Sequence, residues 1–242
     1  MTAETGYRRR ILIEPEGGRV TAELEDDYHR MVVTLAHADG VVTAVDCAMK
    51  RAPWTSCPGA MEQLRETFTG VALADVVKRG EKLQNCTHLH DLTLFAAVHA
   101  AAAEPIAYDM FVSDVAEGRH RASLSRNGAP MLDWTLEGDL FLAPGVLAGT
   151  RLRDLGQWIG AQDAVGAEAG RILRWAVLLA QGRAMTIPAG LSATVFLAGT
   201  CYTFQPERAV HATRLPGADI DFSLPGRDPM QDRAAAFAGR RD

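Results

Sequence analysis

The chain has 242 residues, 48% of them hydrophobic and 23% charged, with a formal net charge of −5. That length buries a core without disulfide staples, and the composition excludes a disordered chain. The basic run Arg8-Arg9-Arg10 is offset at once by Glu14, Glu16, Glu23, Glu25, Asp26 and Asp27, which argues against a nucleic-acid partner. No stretch approaches the roughly twenty apolar residues of a membrane helix, and the opening residues lack the apolar centre of a secretory signal. The expectation is a cytoplasmic protein with a small-molecule substrate and no membrane or nucleic-acid partner. Its four cysteines are then expected as thiols, ligands or core residues rather than disulfides.

In chain order, residues 8–13 (RRRILI) predict a short strand closed by Pro15 and Gly17-Gly18. Arg19–Glu25 alternates as a second strand. The segments His29–Ala36 and Val41–Cys47 flank His37-Ala38-Asp39-Gly40, and Asp-Gly between two β-branched runs is a hairpin signal. Chain character changes at Trp54. Ala60–Phe68 reads as a helix with Pro58 in its first turn, and Gly70 ends it. Val71–Arg79 reads as a short helix. Thr87 is the expected N-cap of a long apolar helix over His88–Ala102, stopped by Glu104-Pro105.

A second β segment follows. Tyr108–Val115 is one strand, and Arg121–Ser125 and Met131–Leu136 are joined by Arg126-Asn127-Gly128, a turn signature. Asp139–Leu142 comes next, then helices near Leu152–Ile159 and Ala164–Leu179. Leu191–Phe204 is a hydrophobic stretch whose Tyr202 and Phe204 read as strand residues, and order is expected to fade over 216–242. The fold class is α+β in a single compact domain over 1–242. Gly70-Val-Ala-Leu-Ala-Asp and Gly149-Thr-Arg-Leu-Arg-Asp each precede an apolar helix, which hints at two β-hairpin-plus-helix pseudo-repeats, 8–104 and 105–215.

Reactive side chains concentrate in the first hundred residues. Cys57 lies in Trp54-Thr-Ser-Cys57-Pro58-Gly59-Ala60 and Cys86 in Cys86-Thr87-His88-Leu89-His90-Asp91, both where a loop becomes a helix. Unpaired N–H groups and the positive dipole end at a helix start are expected to lower a thiol pKa. Thiolate and imidazole suit zinc, iron or an iron–sulfur centre, with Cys57, Cys86, His88 and His29 as ligands and Asp26 or Asp27 as carboxylate alternatives. The same residues read as catalytic groups: Cys57 or Cys86 as nucleophile, His88 as base, and Asp91, one helical turn on, as its orienting partner. The bland alternative is that both cysteines are small core hydrophobes. Arg51 reads as an anion clamp, or as a partner of Asp46; Trp54, Tyr202 and Arg208 read as substrate-pocket residues.

The blocks Arg51-x-Pro53-Trp54-x-x-Cys57-Pro58-Gly59-Ala60, Cys86-Thr87-His88-Leu89-x-Asp91-Leu92 and Cys201-Tyr202-x-Phe204-Gln205-Pro206 resemble a bacterial family, domain of unknown function 2889. The resemblance spans nearly the whole chain and implies a setting near aromatic or acyl-CoA catabolism. Residues 29–102 more distantly resemble the iron–sulfur scaffold fold of NifU-like and SufE-like proteins, with Cys57 and Cys86 at the two helix-start cysteines. The scaffold's first ligand loop, near Asp26–Tyr28, here holds acids and His29, and Asn85 stands where the scaffold has a histidine. Together these give a metal-dependent or thiol-based enzyme acting on a small organic acid or acyl-type catabolite. Zinc or iron is the expected cofactor, mononuclear or as a cluster. An iron–sulfur or sulfur carrier and a non-enzymatic ligand-binding accessory are the alternatives.

Overall fold

The computed structural model describes residues 4–237. In chain order it holds strands β1 (Gly6–Glu16), β2 (Arg19–Asp26), β3 (Arg30–Ala38) and β4 (Val41–Arg51), then helices α1 (Ala60–Phe68), α2 (Leu73–Val76) and α3 (Thr87–Val98). Strands β5 (Ile106–Ser113), β6 (Arg119–Arg126), β7 (Ala129–Glu137) and β8 (Leu140–Phe141) follow, then helices α4 (Gly156–Gly160), α5 (Ala164–Ala180) and α6 (Pro206–Ala209). The fold is thus mixed α and β with antiparallel strand pairing. Among the described residues no helix is long and apolar enough to cross a membrane.

The chain divides into two compact units. One holds Ile11–Ile106 with Ile187–Ile220; the other holds the chain up to Arg10, Ala107–Thr186 and the chain from Asp221. In the first unit the strand order is β4-β3-β2-β1. The β3–β4 turn places Asp39 at φ 50° and Gly40 at φ 75°, the left-handed pair that a two-residue hairpin requires. Along β3, Met31, Val33 and Leu35 are fully buried and alternate with half-buried Arg30, Val32 and Thr34. Helix α3 covers β2 and β3. Its Leu89, Leu92 and Ala96 are fully buried, each large side chain contributing about 1.5–3 kcal/mol by leaving water. Helix α1 packs on β4.

Several expected boundaries move for physical reasons. Helix α2 covers four residues rather than Val71–Arg79, because the backbone before it pairs with β4: Gly70 N–H donates to Val42 C=O and Val42 N–H to Val71 C=O. Pro58 sits in a separate 3₁₀ turn, Cys57–Gly59, ahead of α1. Cys86, in extended conformation, takes the N-cap of α3, so Thr87 is already helical; the helix stops at Val98, where His99 leaves helical geometry. Leu191–Phe204 forms no strand. It is a chain of turns with one 3₁₀ turn at Ala193–Val195, and Gly199 takes φ 77° within it.

In the second unit the order is β5-β6-β7-β8. The β6–β7 turn uses Asn127 (φ 48°) and Gly128 (φ 80°), the same hairpin geometry. Helix α5 starts at Asp163, whose carboxylate accepts the Gly166 N–H at 2.7 Å, and packs on β6 and β7. In the last segment Phe222, Ser223 and Met230 are buried, and Arg10 donates to Pro229 C=O. Residues 238–242 of the expected weak tail lie outside the described residues.

Candidate metal centre

The link from β2 to β3 is the turn Asp26–His29. Asp26 N–H donates to His29 C=O at 2.9 Å. Asp26 Oδ1 accepts the N–H groups of Tyr28 and His29, each at 2.8 Å. An aspartate that bonds its own downstream backbone is a turn former, so the local sequence folds the carboxylate back over the chain. The same oxygen lies 3.0 Å from His29 Nδ1.

Helix α3 brings the third group. His88 occupies its first turn and is buried. The His29 and His88 rings lie 3.9 Å apart between centroids, with planes tilted by 30°. Asp26, His29 and His88 each offer one ligand atom, and these atoms all lie within 4.8 Å of one another. All three residues are buried. The 3.0 Å contact between Asp26 Oδ1 and His29 Nδ1 has the length of a hydrogen bond, and it also falls in the roughly 3–3.5 Å range that bonds of about 2.1 Å set between neighbouring metal ligands. Two imidazoles and one carboxylate suit a divalent ion such as zinc or iron(II).

The ligand turn is itself held. Arg51, at the end of β4, donates through Nη2 to Asp26 C=O and His29 C=O, and through Nη1 to Asp27 C=O and Ala218 C=O. It also pairs with Glu25 at 3.3 Å. Ile220 N–H donates to Asp27 C=O at 2.8 Å.

The cysteines are not part of this group among the described residues. Cys57 Sγ faces Thr203 Oγ1 at 3.5 Å, within a cluster that holds Trp54, Ala193, Ala209 and Ala212. Cys86 Sγ faces Met31 Sδ at 3.9 Å. Neither thiol is acidified. Burial pushes Cys57 up to about 11 and pushes Cys86 higher still, with the neighbouring Cys57 adding to the rise at Cys86. The expectation of lowered thiol pKa values is therefore corrected. A helix start is worth roughly 0.3–1 kcal/mol to an anion, whereas full burial of a charge costs several kcal/mol, and burial wins. Cys47, on β4, is also raised by burial, and Cys201 is half-buried.

The other residues singled out from the sequence lie elsewhere in the chain's packing. Trp54 meets the edges of Phe196 and Phe204 at 5.3 and 5.5 Å. The Arg208 guanidinium lies 4.0 Å from the centre of the Tyr202 ring. Gly59 permits the approach of Tyr202, since a Cβ there would sit 2.6 Å from the tyrosine hydroxyl. Asp91 pairs with Lys82 at 2.7 Å. His90 is buried against Phe68, and neither ring nitrogen has a hydrogen-bond partner among the described residues.

No family model matches the chain, and no curated protein matches it.

In the sequence Asp26 stands only as an alternative ligand. The signal for it is local: Asp-x-x-His spanning a hairpin turn, where position i faces position i+3.

Proposed function

We propose that Asp26, His29 and His88 hold a single divalent metal ion and that the protein is a metal-dependent enzyme. The observation that carries this reading is the convergence of three ligand atoms within 4.8 Å in a buried setting. Three protein ligands leave positions for water and substrate, the arrangement of catalytic rather than structural sites. The ion would supply Lewis-acid chemistry at an oxygen, and the substrate we propose is a small organic acid or acyl compound.

The thiol-nucleophile reading has less support, because burial favours the protonated form of Cys57 and Cys86. We also propose that residues 8–104 and 105–215 are tandem pseudo-repeats; antiparallel strands followed by helices in each stretch support this. The test of the metal centre is elemental analysis after dialysis against zinc or iron(II). One equivalent is expected in the native chain and none in His88→Ala. A native chain that retains no metal would end the proposal.

A further inference from the structure

We propose that Arg51 is the positioning residue of this centre, setting metal affinity by holding the Asp26–His29 turn; this rests on the metal reading above. The guanidinium sits at the end of β4, the strand beside β3, and its side chain is only 14% exposed. One nitrogen donates to the carbonyls of Asp26 and His29, the two ligand-bearing ends of the turn. The other donates to Asp27 C=O at 2.8 Å, between those ends, and to Ala218 C=O at 3.0 Å. Glu25, the last residue before the turn, fixes the same guanidinium at 3.3 Å.

These donors point at backbone oxygens and at the Glu25 carboxylate. A planar fork reaches several carbonyls at once; a lysine ammonium is a compact point charge and does not reproduce that spread. Bonds to the backbone of a ligand turn fix the direction of its side chains, and loss of such support costs about 10–100-fold in metal affinity. Glu25 pairs with this cation at 3.3 Å and faces Arg30 at 3.8 Å.

The experiment is a cobalt(II) titration of the full chain, followed by its visible bands, alongside thermal melting by circular dichroism. Arg51→Lys is expected to stay folded with a lowered melting temperature, since buried carbonyls lose a donor, and to bind cobalt about 10–100-fold more weakly, with altered band shape. Glu25→Gln, which weakens one anchor of the guanidinium and leaves its carbonyl bonds, is expected to weaken binding by a smaller factor. A folded Arg51→Lys chain with native affinity and native bands overturns the role of Arg51 and leaves the metal centre standing. If Arg51→Lys does not fold, Glu25→Gln decides, and native affinity there overturns the role. A native chain that binds no cobalt overturns both the centre and the role.

Discussion

Asp26 uses one oxygen, Oδ1, to accept two backbone N–H groups of its own turn and to face His29 Nδ1 at 3.0 Å. The carboxylate therefore has two separable tasks, shaping the turn and carrying charge towards the imidazoles. Asp26→Asn keeps an acceptor oxygen and removes the charge. We predict that it changes stability by no more than about 1 kcal/mol, as expected when a hydrogen-bond acceptor is retained, and loses most metal binding. Asp26→Ala should lose both. Denaturation and metal titration of the two variants check this, and equal metal binding by Asn and Asp would contradict it.

The buried thiols predict a particular pH dependence. Cys57 is raised from 9.0 to about 11 in the folded chain. A group held neutral by folding stabilises fully below its unfolded pKa and loses that contribution as pH rises. The window therefore runs from the ordinary thiol value to the raised one, about pH 9 to pH 11. The contribution lost across it is about 2–3 kcal/mol at most. Urea unfolding from about pH 8 to about pH 11 should show falling stability, with a shallower fall in Cys57→Ala. Thiol reagents at about pH 8 should label Cys57 and Cys86 slowly in the folded chain and rapidly once it unfolds.

Gly40 supplies the positive φ of the β3–β4 turn, at 75°. Nothing crowds its Cβ position, so the cost of a side chain there is purely conformational. Gly40→Ala is predicted to cost about 1 kcal/mol through the left-handed backbone, read as a lowered denaturation midpoint, with metal binding unchanged.

In the second unit, Tyr108 donates its hydroxyl to Glu168 Oε1 at 2.6 Å, and both residues are buried. Tyr108→Phe removes this buried hydrogen bond, a loss of about 1–3 kcal/mol. Loss of that order in chemical denaturation is expected, and a neutral result would show the pair to be dispensable.

Much of the fold is legible in the sequence because it rests on local chemistry. Asp39-Gly40 and Asn127-Gly128 announce their hairpins, and Ala60–Phe68 has the spacing of a half-buried helix. What fails is what depends on partners. Val71 and Ala72 look helical in isolation, yet their backbone is engaged by β4. Tyr202 and Phe204 look like strand residues, yet turns carry them. At the site, residue type alone points to His29 and His88. Asp26 gains its place only when the β2–β3 register, pairing Glu25 with Arg30, sets the turn beneath α3. The acidity expected of Cys57 and Cys86 comes from their helix-start positions, and sequence position carries no measure of how deeply a sulfur is buried.

The most direct measurement is X-ray absorption at the metal edge of the zinc- or iron-loaded chain. A first shell of nitrogen and oxygen near about 2.1 Å, with the outer-shell signature of two imidazoles, is predicted. A sulfur shell near about 2.3 Å would place Cys57 or Cys86 on the metal and contradict the Asp26–His29–His88 centre.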